Sequence, residues 1–429
     1  PYTAWWGDVL VQTTVKEVSL LLNNKGKSAR PSQQTLFDLQ AVNTAIDTTR
    51  FGKVYNLIGT TFPEGNKTIA KITTPKGIIA YDWKKKTIVW SLPLEQGIAH
   101  EDFCIASRSL AFTKDYNLFV TTPDGRTHQV STDGNRELLY GTSVHRDEFG
   151  IHKGTFWSPK GDQLAFYRMD QSMVTDYPQV NTLVSPEVRV AQPDPDKYPM
   201  AGMAMHKVTV GIFSPATDRT VWLQLGDVTD RYFTNLSWSP DGKNLYIMEV
   251  PRSQKRCDLV AYDATTGQRL KTLYTETNER FVEPQNPLTF LPWDDHKFIY
   301  QSERDGFNHL YLFDTNGKML RQLTQGKFEV LELLGFNTAK RSIILRTNES
   351  GHIRENLYAV DFNTGRRTLL DNGKGVHRAS LSENGRYLRD TWSTPTDYRH
   401  IDIKSTEKQQ TLSTLLNADN PWSGFTMPQ

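Results

Sequence analysis

The stretch VHRDEFGIHKGTFWS at residues 144–158 gathers charged or titratable side chains, among them His145, Arg146, Asp147, Glu148 and His152, just before an aromatic, strand-like run. Asp147 and Glu148 are adjacent. A close carboxylate pair is a natural receptor for one cation, such as a primary ammonium with its three N–H donors. Neighbouring acids more often decorate a solvated loop. Two features set this pair apart from that reading. Phe149 and the GTFW run follow at once, so the acids stand where a strand enters the core. They also lie at the edge of the one large insertion in a repetitive chain, and such insertions often carry the binding function. A metal centre is the competing chemistry, because His145 and His152 flank the acids. Their seven-residue separation in an irregular segment matches no ligand pattern, so no metal is expected.

Catalytic machinery is absent from the sequence. There is no G-x-S-x-G nucleophile elbow, no H-E-x-x-H and no phosphate-cradling glycine loop, so neither a catalytic residue nor a cofactor can be assigned.

The elements that must position the acids are repeats. One turn phrase recurs as FWSPKGDQLAFY (156–167) and SWSPDGKNLYIM (237–248), with weaker copies at 290–301, 334–345 and 380–390. A second phrase, a strand ending in Asp and a Gly-containing turn, begins at 78, 118, 210, 259, 309, 357 and 399. The Pro-Asp-Gly, Asn-Gly and Thr-Gly turns supply the positive φ that tight hairpins need, and the flanking runs alternate with period two. Most copies are about 40 to 50 residues apart, the span of a four-stranded propeller blade. The gap from 118 to 210 is about twice that, so an insertion lies inside one blade. It holds the acids, near 144–153, and a Pro-rich stretch at 176–202. The expected fold is all-β: a single β-propeller of seven or eight blades over residues 66–429, with residues 1–65 a further blade or part of one. An array of β-sandwiches suits the near-regular spacing less well.

Length alone, 429 residues, would suggest about three domains, which the repeats replace with one. The 50 basic and 48 acidic residues nearly cancel, arguing against a nucleic-acid surface. No apolar run approaches the roughly 18 residues that span a bilayer. The start PYTAWWGDV has no basic-then-apolar leader, so no signal peptide is expected in this sequence and location stays open. Two distant cysteines, Cys104 and Cys257, form neither a zinc framework nor a disulfide scaffold. The 10 Trp, 17 Tyr and 20 Phe suit a large β core.

The run HRDEFGIHKGTFWSPKGDQLAFYRMDQSMVTDYP, followed by KYPMAGMAMHKVTVGIF and by SERDGFNHLYLFD (302–314), resembles the N-terminal propeller of the dipeptidyl peptidase IV family of serine exopeptidases. The likeness runs in order over residues 70–429 and is nearest to Bacteroidetes-type members, including prolyl tripeptidyl peptidases. It implies eight blades, then a C-terminal α/β-hydrolase domain bearing Ser, Asp and His. It further implies a double-Glu motif that grips the substrate's free α-ammonium so that cleavage follows proline. By position the motif falls on Asp147 and Glu148. Asp147 departs from it: its side chain is one methylene shorter, leaving Glu148 as the anchor and a tripeptide register open. Phe281, in RFVEPQNPLTF, falls where the family keeps an aromatic at the substrate cleft; an ordinary core phenylalanine is the alternative. Arg108 and Arg146 are candidates for the family's carbonyl-binding arginine, though a surface role suits either. The 176–202 stretch corresponds to an arm that pairs subunits, or else is a surface loop.

The sequence thus reads as the substrate-selecting propeller of a post-proline serine exopeptidase, with peptide substrates, a hydrolase domain and a second subunit as partners. The resemblance implies a periplasmic or secreted location, and the lack of a long apolar run means that no membrane span is expected in this sequence. Ending after NPWSGFTMPQ, the chain is expected to be an excised propeller that hydrolyses nothing. The alternatives are the propeller of a prolyl tripeptidyl peptidase and a free-standing peptide- or protein-binding propeller.

Overall fold

Ser158, Ser239 and Ser382 build the same turn three times. Each carbonyl accepts the amide N–H of a glycine at positive φ three residues on, at 2.8–2.9 Å: Gly161, Gly242 and Gly385. Each hydroxyl also accepts an amide N–H from the returning strand, Gln163, Asn244 and Tyr387, at 3.0–3.1 Å. The second phrase closes differently. Asp263 Oδ1 accepts the amides of Thr265 and Thr266, and Gly267 donates back to the Asp263 carbonyl. Asp361 repeats that arrangement with Asn363, Thr364 and Gly365. These are Asx-type turns, in which a short carboxylate satisfies amides that the turn removes from the ladder.

The computed structural model describes residues 2–22 and 34–426; residues 1, 23–33 and 427–429, which include parts of the 1–65 segment and of the C-terminal stretch, lie outside the described residues. The hairpins assemble into eight antiparallel sheets, at 3–38, 69–93, 99–129, 138–222, 231–277, 289–322, 330–369 and 376–417. The open choice between seven and eight blades therefore resolves to eight. The extra blade is at the start: strands Thr3–Trp6, Val9–Thr13, Glu17–Leu22 and Thr35–Asp38 form a complete four-stranded sheet.

Apolar packing lies between blades. Among the described residues eight buried clusters occur, one at each interface between neighbouring blades. The tryptophans of the turn phrase add a polar fastening. Trp157 Nε1 donates to the Asp102 carbonyl of the preceding blade, and Trp238 Nε1 to that of Phe156, both at 2.9 Å. The ring closes where the first blade meets the eighth: Leu10, Leu21 and Leu22 pack on Ile403, and Trp5 Nε1 donates to Ser380 Oγ at 3.1 Å. No helix among the described residues is long and apolar enough to cross a membrane.

The fourth blade departs most from the pattern. Leu138–Tyr140 and Thr155–Trp157 both pair with Leu164–Asp170, so its first strand is interrupted and residues 141–154 leave the sheet. Between Leu164–Asp170 and Lys207–Ser214 the chain makes a second excursion, an arm of two short ribbons, Asp176–Tyr177 with Asp196–Lys197 and Val180–Asn181 with Gln192–Pro193. Leu183 at its outer end is 93% exposed and Val190 is 77% exposed.

Candidate functional site

The excursion from the fourth blade carries the acids on a tight turn, His145–Gly150. His145, Arg146, Asp147 and Phe149 all have φ between +53° and +64°, while Glu148 is extended at φ −66°, ψ 157°. None of the four is glycine, and each such residue costs about 1–2 kcal/mol. The neighbouring blades hold the turn in place. Phe149 is buried against Tyr232, ring centroids 4.9 Å apart, and its carbonyl accepts from Thr234 Oγ1 at 3.0 Å. His145 Nε2 accepts the Phe233 amide at 3.3 Å. At Gly150, φ +74°, a Cβ would sit 2.1 Å from the Gln285 carbonyl oxygen, so the turn abuts the 281–287 loop too closely for any side chain.

Asn235 ties these pieces together. Its Nδ2 donates to the carbonyls of Phe149 (3.3 Å) and Pro284 (2.9 Å). It occupies a register shift in Arg231–Trp238 at φ +53°, a conformation that asparagine tolerates.

Alternating backbone conformation separates the two acids. Asp147 is hydrogen-bonded by Ser143 Oγ and borders a recess with Lys197 and Gln171. Glu148 borders a different cavity, with Tyr232, Met205 and His206. Among the described residues the Glu148 carboxylate makes no hydrogen bond or ion pair. Burial, and then the charge of Glu283, push its pKa above the usual glutamate range. Glu303, across the 281–287 loop, is raised by burial and then by Glu329, Glu283 and Glu276. Burial lowers the pKa of His145 to about 3, with a further contribution from His206, and that of His206 to about 4, so both rings are neutral near pH 7. Among the described residues no group of three or more His, Cys, Asp and Glu is arranged to hold a metal.

Phe281 is 49% exposed and lines a cavity of about 270 Å³ with Glu276, Glu283 and Glu303, so it is not a core side chain. Arg146 pairs with Asp196 at 2.7 Å and lies 4.9 Å over Tyr198, fastening the turn to the base of the arm. Arg108 lies over Trp90 at 5.5 Å and 3.9 Å from Glu64, in contacts separate from the turn. Glu283 and Asn235 escaped the sequence reading. Glu283 is two residues beyond Phe281, but only the packing of blades brings it toward Glu148. Asn235 carried a readable signal, an asparagine that breaks the apolar run RYFTNLSW.

The arrangement offers an unpaired carboxylate, with a second carboxylate near enough to raise its pKa, on a turn fastened to the fifth blade and the 281–287 loop. That is suited to holding a cation. Comparison with known proteins agrees with the architecture. The family model for the dipeptidyl peptidase IV (DPP IV) N-terminal region matches residues 64–398. A probable dipeptidyl-aminopeptidase B of Pyrenophora teres f. teres is 27% identical over 325 residues, covering 67% of this chain and 35% of that protein. A Bacteroides ovatus protein assigned as a dipeptidyl aminopeptidase IV has a crystal structure that superposes with a TM-score of 0.90 at 38% identity, covering all of this chain and 61% of that one. Dipeptidyl peptidase 4 of Porphyromonas gingivalis shares the fold, with a TM-score of 0.76 at 23% identity, over 96% of this chain and 58% of that one. The chain thus spans about a third of the fungal relative and three fifths of the Bacteroides protein. On this match it belongs to the dipeptidyl peptidase IV N-terminal region family, as that family's eight-bladed propeller.

Proposed function

We propose that this chain is the substrate-selecting propeller of a post-proline serine exopeptidase, and that Glu148 anchors the substrate's N-terminal ammonium. One observation carries the reading: Glu148 is held on a strained, well-fastened turn with no cationic partner among the described residues and with Glu283 close enough to raise its pKa. A cationic ligand relieves both the missing pairing and the repulsion between the carboxylates. Asp147, engaged by Ser143, supports the turn and is the lesser of the two acids. Phe281, half-exposed at the adjacent cavity, flanks the bound peptide. Bond-breaking belongs to a hydrolase domain; the propeller contributes orientation, which fixes the carbonyl that meets the nucleophile. The arm, with Leu183 and Val190 exposed, is the surface for pairing with a second subunit.

The test is Glu148→Ala in the full-length protein that carries this propeller. A hydrogen bond to a charged group contributes about 1.5–3 kcal/mol, so kcat/KM on free-N-terminus substrates should fall about 10- to 150-fold. Substrates with a blocked N-terminus should be unaffected by the change. An unchanged rate on free-amine substrates refutes the assignment. Comparing Gly-Pro with Ala-Ala-Pro chromophores separates dipeptidyl from tripeptidyl release.

A further inference from the structure

The sequence holds three Asn-Gly dipeptides, at 316–317, 372–373 and 384–385. Asparagine is chemically labile, and most so before glycine, whose missing Cβ lets its amide nitrogen approach the asparagine side-chain carbonyl. The same dipeptide stands in three settings, and one of them is arranged for that reaction.

At Asn316 and Asn384 the fold obstructs it. The glycine amides donate to peptide carbonyls, Gly317 to Asp314 O at 3.0 Å and Gly385 to Ser382 O at 2.9 Å. A peptide carbonyl is too weak a base to take a proton. Both glycines are also hemmed in: a Cβ at Gly317 would collide with the Leu273 carbonyl, and one at Gly385 with that of Phe336. Asn384 Nδ2 is itself engaged, donating to Asp8 Oδ2 at 3.2 Å.

Asn372 and Gly373 lie in the link from strand Arg367–Leu369 of the seventh blade to Val376–Leu381 of the eighth. Here the Gly373 amide donates to a carboxylate, Asp371 Oδ1, at 2.7 Å, the reach at which a general base takes a proton. Asp371 is 1% exposed, and its carboxylate is fixed by Asn356 Nδ2 at 2.9 Å and the Leu357 amide at 2.7 Å. Asn372 Oδ1 accepts the Lys374 amide at 2.9 Å, a donor placed to stabilise charge developing on that oxygen. The Asn372 side chain is exposed, so ammonia can leave and water can enter. A Cβ at Gly373 would meet only Leu369 Cδ2, at 3.4 Å, so the backbone has room to move.

We propose that Asn372 is a self-modification site, converted by its own neighbours to a succinimide and then to aspartate or isoaspartate. Asp371 takes the Gly373 amide proton, the Gly373 nitrogen bonds to Asn372 Cγ, and the Lys374 N–H holds the charge on Oδ1. The Cγ–Nδ2 bond then breaks, and Nδ2 leaves as ammonia with the proton that Asp371 held. Water opens the ring at either carbonyl. Both products put a second carboxylate beside Asp371, and isoaspartate adds a methylene to the main chain that links the two blades.

The experiment is peptide mapping by mass spectrometry of this chain, folded and unfolded in urea, after incubation in mildly alkaline buffer. In the folded chain Asn372 should convert about 100-fold faster than Asn316 or Asn384, the lower end of what a positioned base contributes. In urea the three rates should come within a fewfold of one another, because the dipeptide is the same. Asp371→Asn keeps an acceptor for the Gly373 amide but removes the base, and should bring Asn372 down to the rate of the other two. The comparison of folded with unfolded chain decides the matter even if that buried variant does not fold. An Asn372 rate no higher than the others in the folded chain, an excess that survives in urea, or a folded Asp371→Asn chain that converts as fast as the parent overturns the proposal.

Discussion

Replacing Asn235 tests whether the Glu148 turn is held by the blades around it. Glycine at this position keeps the φ of +53° without strain and deletes only the side chain. The loss is two hydrogen bonds, to Phe149 O at 3.3 Å and Pro284 O at 2.9 Å. They are unequal. Phe149 O keeps Thr234 Oγ1, whereas Pro284 O loses the donor that Asn235 supplies. At about 0.5–1.5 kcal/mol net per bond, plus about 0.5–1 kcal/mol for the added freedom of glycine, Asn235→Gly should cost roughly 2–4 kcal/mol. An unfolding entropy of about 2.1 cal/mol/K per residue over 429 residues is roughly 0.9 kcal/mol/K, so Tm should fall by roughly 2–4 °C in calorimetry. Asn235→Ala adds a Cβ at positive φ and should lose about a further 1–2 kcal/mol. Peptide affinity should fall in both variants, because the turn and the 281–287 loop lose their shared tether. A glycine variant within 1 °C of the parent would show that this tether does not hold the site.

Two further predictions concern the charges. Glu148 must be ionised to hold an ammonium, so binding is lost as pH falls through its pKa, which burial and Glu283 have raised. Glu283→Gln should therefore move the acid limb of peptide binding to lower pH; an unmoved or raised midpoint refutes the coupling. The same raised pKa means that the folded state binds this proton more tightly than the unfolded state. The ionised carboxylate then costs stability that appears as pH rises through the folded pKa. Glu148→Gln should raise Tm at pH 7 and converge with the parent in acid; equal Tm values at pH 7 count against a penalised carboxylate.

What could be read from the sequence was local. Four copies of the second phrase lie on strands that end in Asp, Gly77–Asp82, Arg256–Asp263, His309–Asp314 and Asn356–Asp361, because an Asx-type turn is written within a few residues. The first blade was harder to read: its third strand, EVSLLL, does not end in Asp. Adjacency of Asp147 and Glu148 was equally plain, but their divergence was not. Four left-handed residues without a glycine among them leave no compositional mark, and it is the alternation around Glu148 that turns the carboxylates apart. Glu283 was invisible for another reason: it is 135 positions from Glu148, and only the packing of one blade beyond another brings it near.

The strained backbone, the unpaired carboxylate and the orphaned imidazole N–H all belong to six consecutive residues, His145–Gly150. Each is unfavourable to the free protein, and the same neighbours that enforce the strain keep the polar groups from finding partners by moving. Relaxing the turn would free Glu148 to seek solvent or a basic side chain, but would break the contacts of Phe149 and His145 with the fifth blade. On the proposed role of Glu148, a peptide N-terminus satisfies the carboxylate without that relaxation. Arg146, inside the same turn, clamps Asp196 and Tyr198 at the base of the arm, so a displacement of the arm must also load the segment that aims Glu148. The interrupted first strand of the fourth blade is therefore the joint that couples the setting of Glu148 to the position of the arm.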